Sequence, residues 1–356
     1  MKTIAATLIF IAAFTFSCFA QTPKETAHQK GVEAVKLEDA GKFDDALKLL
    51  DEAQKLDPDN IVYPYEMGYC YYSQEHYQKV VDLLEKLKDR PDSFDRLYEL
   101  LGNSYDVLKQ SDKAIAVYED GLKKFPNSGV LYLERGTMPL TRKNYSEAIK
   151  YFEKGIEVEP KFPSNYYWAA KIYCGSESAV WGLLYGEIFM NIERNSKRTG
   201  EISKLLFDTY KKGITFPSAD KTAISFSKQN TMTVDDLNNK KLPYGITYEM
   251  TMSLATLGER TIDLNSLDRI RQNFLKVYKE KGTDKTYPNV LFTYQDQISQ
   301  ANNMEAYDHW LLMMGDEAAF NTWKTANQSK WENFIKWYGP NPLQLDAQHR
   351  FHRNMF

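Results

Sequence analysis

The sequence has no excess of basic charge. Forty-five Lys and Arg stand against 48 Asp and Glu, a formal net charge of −3, and no dense Lys/Arg run occurs. This argues against a nucleic-acid or anionic-membrane surface partner. No glycine-rich phosphate loop, zinc-protease helix or nucleophile elbow is present, so the common routes to phosphoryl transfer, metal-assisted hydrolysis and acyl transfer have no motif to stand on. Histidine is scarce, at five residues. His349 and His352 in "HRFHR" are three apart and read as a solvated basic tail rather than a metal site. Asp308 and His309 are neighbours in sequence, which on a helix do not face each other. Cofactors are therefore not expected. There are three cysteines, and low-complexity tracts are absent.

Long apolar runs are also missing. Ile4–Phe16 spans 13 residues, short of the roughly 20 that a membrane-crossing helix needs. Lys2 precedes it, and the small residues Cys18 and Ala20 flank Phe19 after it. This is the pattern of a secretory leader. Residues 1–20 are expected to be a signal peptide cut after Ala20, placing the protein in the periplasm or outside the cell with no spanning segment. A lipoprotein acylated at Cys18 is the alternative, although Thr15 stands where leucine is usual, and an uncleaved anchor is another.

What is present is a period. Gly68, Gly102 and Gly136 are spaced by 34 residues, as are Ala114 and Ala148, and Pro126 and Pro160. Three residue types share one lag, and their order resembles the tetratricopeptide repeat (TPR). Four units are delimited: 27–60, 61–94, 95–128 and 129–162. A looser fifth runs from Pro163 to about Arg194. Each contributes two helical stretches, and one pair cannot bury its apolar face alone. The resemblance implies an all-α, TPR-type right-handed superhelical solenoid over residues 27–194. A helical connector (195–219) and an irregular helical carboxy-terminal region (220–356) follow it. "RNSKRTGE" (194–201) reads as a polar loop, and 213–221 and 238–245 as turns. Val80 replaces alanine in the second repeat. Pro139, inside a first helix, is expected to kink or shorten it. Gly182 and Gly186, four apart on one face, are expected to admit a very close neighbour from the following segment. Cys70 and Cys174 fall in repeats two and five, too far apart for a disulfide at about 8–10 Å per packed helix.

The stretch "IVYPYEMGYCYY" (61–72) is unusually rich in tyrosine. In the TPR family the first helix of each repeat lines the concave face, at repeat positions two, five, nine and twelve. Carried onto this sequence, that stripe is Val62, Tyr65, Tyr69 and Tyr72 in repeat two. It continues as Arg96, Glu99, Asn103 and Asp106, then Val130, Leu133, Thr137 and Leu140, then Tyr167 and Lys171. These residues are the expected partner-binding groove, suited to a protein or peptide because tyrosine offers a large apolar face with a polar tip. Tyr71 is assigned instead to the packing between helices, and Tyr63 to the preceding repeat. Two other uses of the stripe stay open: packing inside a tightly curved array or against the carboxy-terminal segment, and binding of carbohydrate. The family's basic clamp for acidic peptide tails is lacking, since repeat one offers Gly31 and Val35.

Beyond residue 195 the pattern is helical without a repeat. Leu267, Ile270, Phe274 and Tyr278 share a face, with Asn265 or Ser266 as cap and Gly282 as stop. Trp331, Phe334, Ile335 and Tyr338 share another. The expected function is a secreted, non-catalytic scaffold for a protein or peptide. A carbohydrate- or nutrient-binding envelope protein is the alternative, and an enzyme hidden in 220–356 is a third reading.

Overall fold

The computed structural model describes residues 22–218, 221–228 and 242–356. The apolar leader, its cleavage site and the first half of the 238–245 turn lie outside the described residues. The chain divides into two compact units, Met1–Ser93 and Phe94–Phe356, so the division falls inside the expected array.

In the first unit, helices α1 (Pro23–Asp39) and α2 (Phe43–Leu56) form one antiparallel pair, and α3 (Val62–Ser73) and α4 (Tyr77–Leu84) a second. Thr22 and Glu25 close a reciprocal capping box at the start of α1, followed by Pro23, which satisfies backbone donors the first turn leaves free. Ala27, Ala34, Ala46, Leu50, Ala53, Tyr63 and Cys70 make the core of this unit. Tyr63 lies over Gly31, whose added Cβ would come within 2.9 Å of the ring. The second repeat therefore docks on the first through this tyrosine.

The second unit begins with three more pairs: α5 (Asp95–Val107) with α6 (Ser111–Lys124), α7 (Gly129–Thr141) with α8 (Tyr145–Val158), and α9 (Pro163–Cys174) with α10 (Ala179–Ile192). The 34-residue lag has a steric basis. Gly102 and Gly136 sit on first helices, and a side chain at either would overlap the ring of Tyr118 or Phe152, from the second helix of the same repeat. Small residue and facing ring form one interlocking contact, repeated at the same spacing. The tight turn between paired helices recurs too. Gly41, Glu75, Lys109 and Lys143 all adopt left-handed backbone, φ +72°, +63°, +62° and +59°. Pro139 lies in the last turn of α7, which continues to Thr141. Because it stands so near the end, the donor it removes ends nothing prematurely.

The array runs further than the sequence pattern suggests. Only 194–196 of the 194–201 stretch are loop: α11 (Lys197–Gly213) starts within it, with Ser196 and Thr199 forming a capping box. Lys197 follows Pro163, the first residue of α9, by 34 positions, so α11 occupies the register of a sixth first helix. It packs on α9 and α10. Gly186 stands 34 residues after Phe152, where a bulky side chain would be expected. Leu206 and Ile202 of α11 fill that space, at 2.8 and 3.3 Å from a Cβ built on Gly186. Gly182 faces backward instead, onto Cys174 of α9, so only one of the two glycines meets the following segment.

Directly after α11 come two short antiparallel strands, β1 (Ile214–Ser218) and β2 (Lys221–Ile224), in the turn-rich stretch. With an isolated bridge between Ser178 and Ser227 they are the departures from an all-α fold among the described residues. Helices α12 (Tyr244–Ala255), α13 (Leu264–Glu280), α14 (Thr283–Thr286), α15 (Val290–Gln300), α16 (Met304–Leu311), α17 (Glu317–Ala326) and α18 (Gln328–Tyr338) complete the unit. Asp263 caps α13, with Ser266 completing the box from the first turn. Phe334 and Tyr338 are buried, but Ile335 is 47% exposed.

A buried ion cluster holds this region to the array. Arg271 of α13 makes two hydrogen bonds to Glu187 of α10, at 2.8 and 2.9 Å, and one to Asp308 of α16. Tyr210, Tyr307 and Gln295 donate or accept around it. The chain end is not a solvated tail either. Phe351 and His352 are buried, and Arg353 pairs with the buried Glu153 of α8 at 2.9 and 3.0 Å. Among the described residues no cluster of three or more potential ligands could hold a metal ion. No helix among them is long and apolar enough to cross a membrane.

Candidate partner-binding face

Alternate helices place the stripe residues. In the first unit α1 and α3 lie side by side, and their shared surface carries an open cavity of about 240 Å³. Gly31, Val32, Val35, Val62, Tyr63 and Glu66 line it, as does His28. The missing side chain at Gly31 lets the Tyr63 ring pack against α1 at the floor of this cavity. Val32, Val35 and Val62 are 45%, 39% and 45% exposed, and Tyr69 is 44% exposed. Apolar residues this accessible, grouped on adjacent helices, form a patch rather than scattered single exposures.

Tyr65 and Tyr72 are half-buried. Tyr72 meets Tyr77 of α4 edge-on, ring centroids 5.2 Å apart. The assignment of Tyr71 to the core requires correction. It is half-buried, with the Lys79 ammonium 5.0 Å from its ring centre, while its neighbour Cys70 is fully buried. On this turn of α3 it is Cys70, packed against the first repeat, and not Tyr71 that takes the buried place. Cys70 donates through Sγ to Glu38 Oε1 at 3.3 Å. Burial raises its thiol pKa, so it is a packed, unreactive cysteine. Glu38 is itself buried, and burial together with the neighbouring Glu66 pushes its carboxyl up to about 7.

In the second unit, the stripe on α5 is polar, with Arg96, Glu99, Asn103 and Asp106, and that on α7 is mostly apolar. Arg96 is exposed and pairs with Glu99 at 2.8 Å. Asn103 accepts from Tyr118 at 2.5 Å, which ties the stripe to the interlocking contact beneath it. Asp106 accepts from Ser111. Glu134, which sequence reasoning passed over, lies among Arg96, Glu99, Asn103 and Asp106. Burial first, then the Glu99 charge, raises its pKa to about 7. It occupies repeat position six, one residue off the family's stripe, and only the crossing of α5 and α7 shows its place. Leu133, Thr137 and Leu140 are half-buried and Val130 is buried. Thr137 is engaged with the Glu134 carbonyl.

On α9 the stripe is not open. Tyr167 is buried, donates to Glu201 of α11 at 2.5 Å, accepts from Lys171 at 2.9 Å and lies under Arg198. Lys171 reaches Glu201 at 3.8 Å. Helix α11 thus takes up Tyr167 laterally, so this tyrosine is an internal contact. Beyond it, Lys171, Glu201, Leu205, Asp208 and Met314 border a wider depression of about 570 Å³.

Three tetratricopeptide repeat family models match the chain, over residues 37–103, 98–128 and 131–162. Residues 37–162 belong to the tetratricopeptide repeat family. No curated protein sequence matches the chain. Solved structures similar to this TPR protein include TTC0263, a thermophilic TPR protein of Thermus thermophilus. It is 17% identical with a TM-score of 0.43, over 51% of this chain and 98% of that one. PilF of Pseudomonas aeruginosa is 15% identical, TM-score 0.46, over 54% and 86%. YrrB, a TPR protein with an unusual peptide-binding site, is 21% identical, TM-score 0.35, over 48% and 89%.

Proposed function

We propose that this TPR protein is an exported, non-catalytic scaffold that holds a protein or peptide partner on the first helices of its repeats. One observation carries the reading: the exposed Val32, Val35 and Val62 around one cavity of the first unit, with exposed Tyr69 further along α3. TPR proteins as a class support the same reading. Placing a photo-reactive phenylalanine analogue at Val62 or Tyr69, in the native host, tests it. Cross-linking to one protein species is the expected result, with none from the same analogue at Lys48 on the exposed side of α2. Equal labelling from Lys48, or no adduct from either groove position, would overturn it. Export rests on the leader pattern alone. Amino-terminal sequencing of the host protein should begin at Gln21, and recovery of Met1 or of a lipid on Cys18 would refute the cut after Ala20.

A further inference from the structure

The cavity on the first unit is lined mostly by apolar residues, with Glu66 its one carboxylate. Val32, Val35 and Val62 surround Gly31, and α2 contributes Leu50 from beneath. Glu66 of α3 forms the acidic wall, and behind it Glu38 of α1 shares a hydrogen bond with it. Asp39 adds negative charge from α1, and Cys70 of α3 is a neutral donor. His28 also lines the cavity. Helix α3 contains no Lys or Arg, and Lys30 of α1 is already paired with Glu52 at 2.6 Å. Two carboxyls in hydrogen-bond contact repel unless a proton lies between them or a cation approaches. The second unit presents the same sign independently, with Glu99, Asp106 and Glu134 around Arg96.

We propose that this face takes an extended polypeptide segment in which an apolar side chain stands beside a lysine or arginine. The apolar group enters the cavity between Val32, Val35 and Val62, and the cation meets Glu66, behind which Glu38 is buried. This rests on the scaffold reading above and specifies its ligand. Because Glu38 holds a proton up to about pH 7, the incoming cation displaces it. Binding therefore releases a proton near neutrality and tightens as pH rises.

The test uses the full chain and three labelled Gly-Ser peptides carrying a central Leu-Lys, Leu-Glu or Ser-Lys pair, followed by fluorescence anisotropy. The Leu-Lys peptide should bind at least tenfold tighter than either of the others. Its Kd should fall about tenfold from pH 6 to pH 8, as one proton with a pKa near 7 requires. Glu38→Gln, which removes the titrating carboxyl, should abolish that slope, and Val62→Ser, at an exposed position, should weaken binding at every pH. Equal binding of Leu-Lys and Leu-Glu, still sensitive to Val62→Ser, would overturn the charge inference and leave the scaffold reading standing. No binding of any peptide at millimolar concentration would overturn both. Binding that ignores Val62→Ser would place the peptide elsewhere and also refute the proposal.

Discussion

Adjacent tyrosines on α3 live in different surroundings because one residue turns a helix by about 100°. Tyr63 is the buried one, lying over Gly31, whereas Tyr71 leans on the Lys79 ammonium at the surface of the α3–α4 seam. Tyr63→Ala should therefore cost about 3–5 kcal/mol, as large buried aromatics do. Tyr71→Ala should cost clearly less, and urea titrations of both would rank them. The family register predicted a core role for Tyr71 because it counts positions on an ideal helix pair. It cannot know that Cys70, bonded to Glu38, takes the inward place. Glu134 makes a second residue-scale prediction. Its folded pKa of about 7 exceeds the ordinary value of 4.5, so between those values the folded state binds more protons than the unfolded one. The stability it contributes is present below about pH 4.5 and is lost as pH rises through 7. Glu134→Gln, which resembles the protonated acid, should raise the melting temperature at pH 8 and leave it nearly unchanged at pH 4.5. An equal gain at both values would mean that the carboxyl is not held protonated.

For the helices, the period was legible wherever a small residue must face a large one. Gly102 with Tyr118, and Gly136 with Phe152, are legible from spacing alone, because each contact closes within one repeat. The same logic fails at α11. Its start, "RNSKRTGE", is polar, and its partner contact runs from one repeat to the next: Leu206 and Ile202 fill the gap left by Gly186. The capping pair Ser196 and Thr199, 34 residues beyond Phe162 and Asn165, was the signal that could have revealed it. The candidate site divides in the same way. Local register sufficed to place Val62 and Tyr69 at the surface. The burial of Tyr167 needed Glu201 and Arg198, on a helix the repeat pattern had not supplied. Gly186→Leu should force α10 away from α11, with overpacking of about 1–3 kcal/mol. A stepwise Gly186→Ala and Gly186→Leu series, read by thermal denaturation, should fall progressively. A flat series would show that Leu206 can move aside at no cost.

Across the second unit, the carboxy-terminal helices are fastened to the repeats by charge as well as by apolar contact. Arg271, Glu187 and Asp308 are almost wholly inaccessible, at 5%, 3% and 0% of their side-chain surface. Burial raises the carboxyl of Asp308, while the two acids hold Arg271 charged. Asp268 stands beside Asp308 and is also raised by burial. Such clusters gain little over an apolar core of the same volume, because desolvation offsets attraction. Breaking one is different: Arg271→Met would leave Glu187 and Asp308 buried without their cation. A loss of roughly 3–5 kcal/mol is expected, read as faster amide exchange in α10, α13 and α16. Asp308→Asn should cost less, since Asp308 already favours its neutral form and the amide still offers an oxygen to Arg271. If the two variants were equally damaging, the geometry of the Asp308 carboxylate, and not the balance of charge, would be what holds these helices on the array.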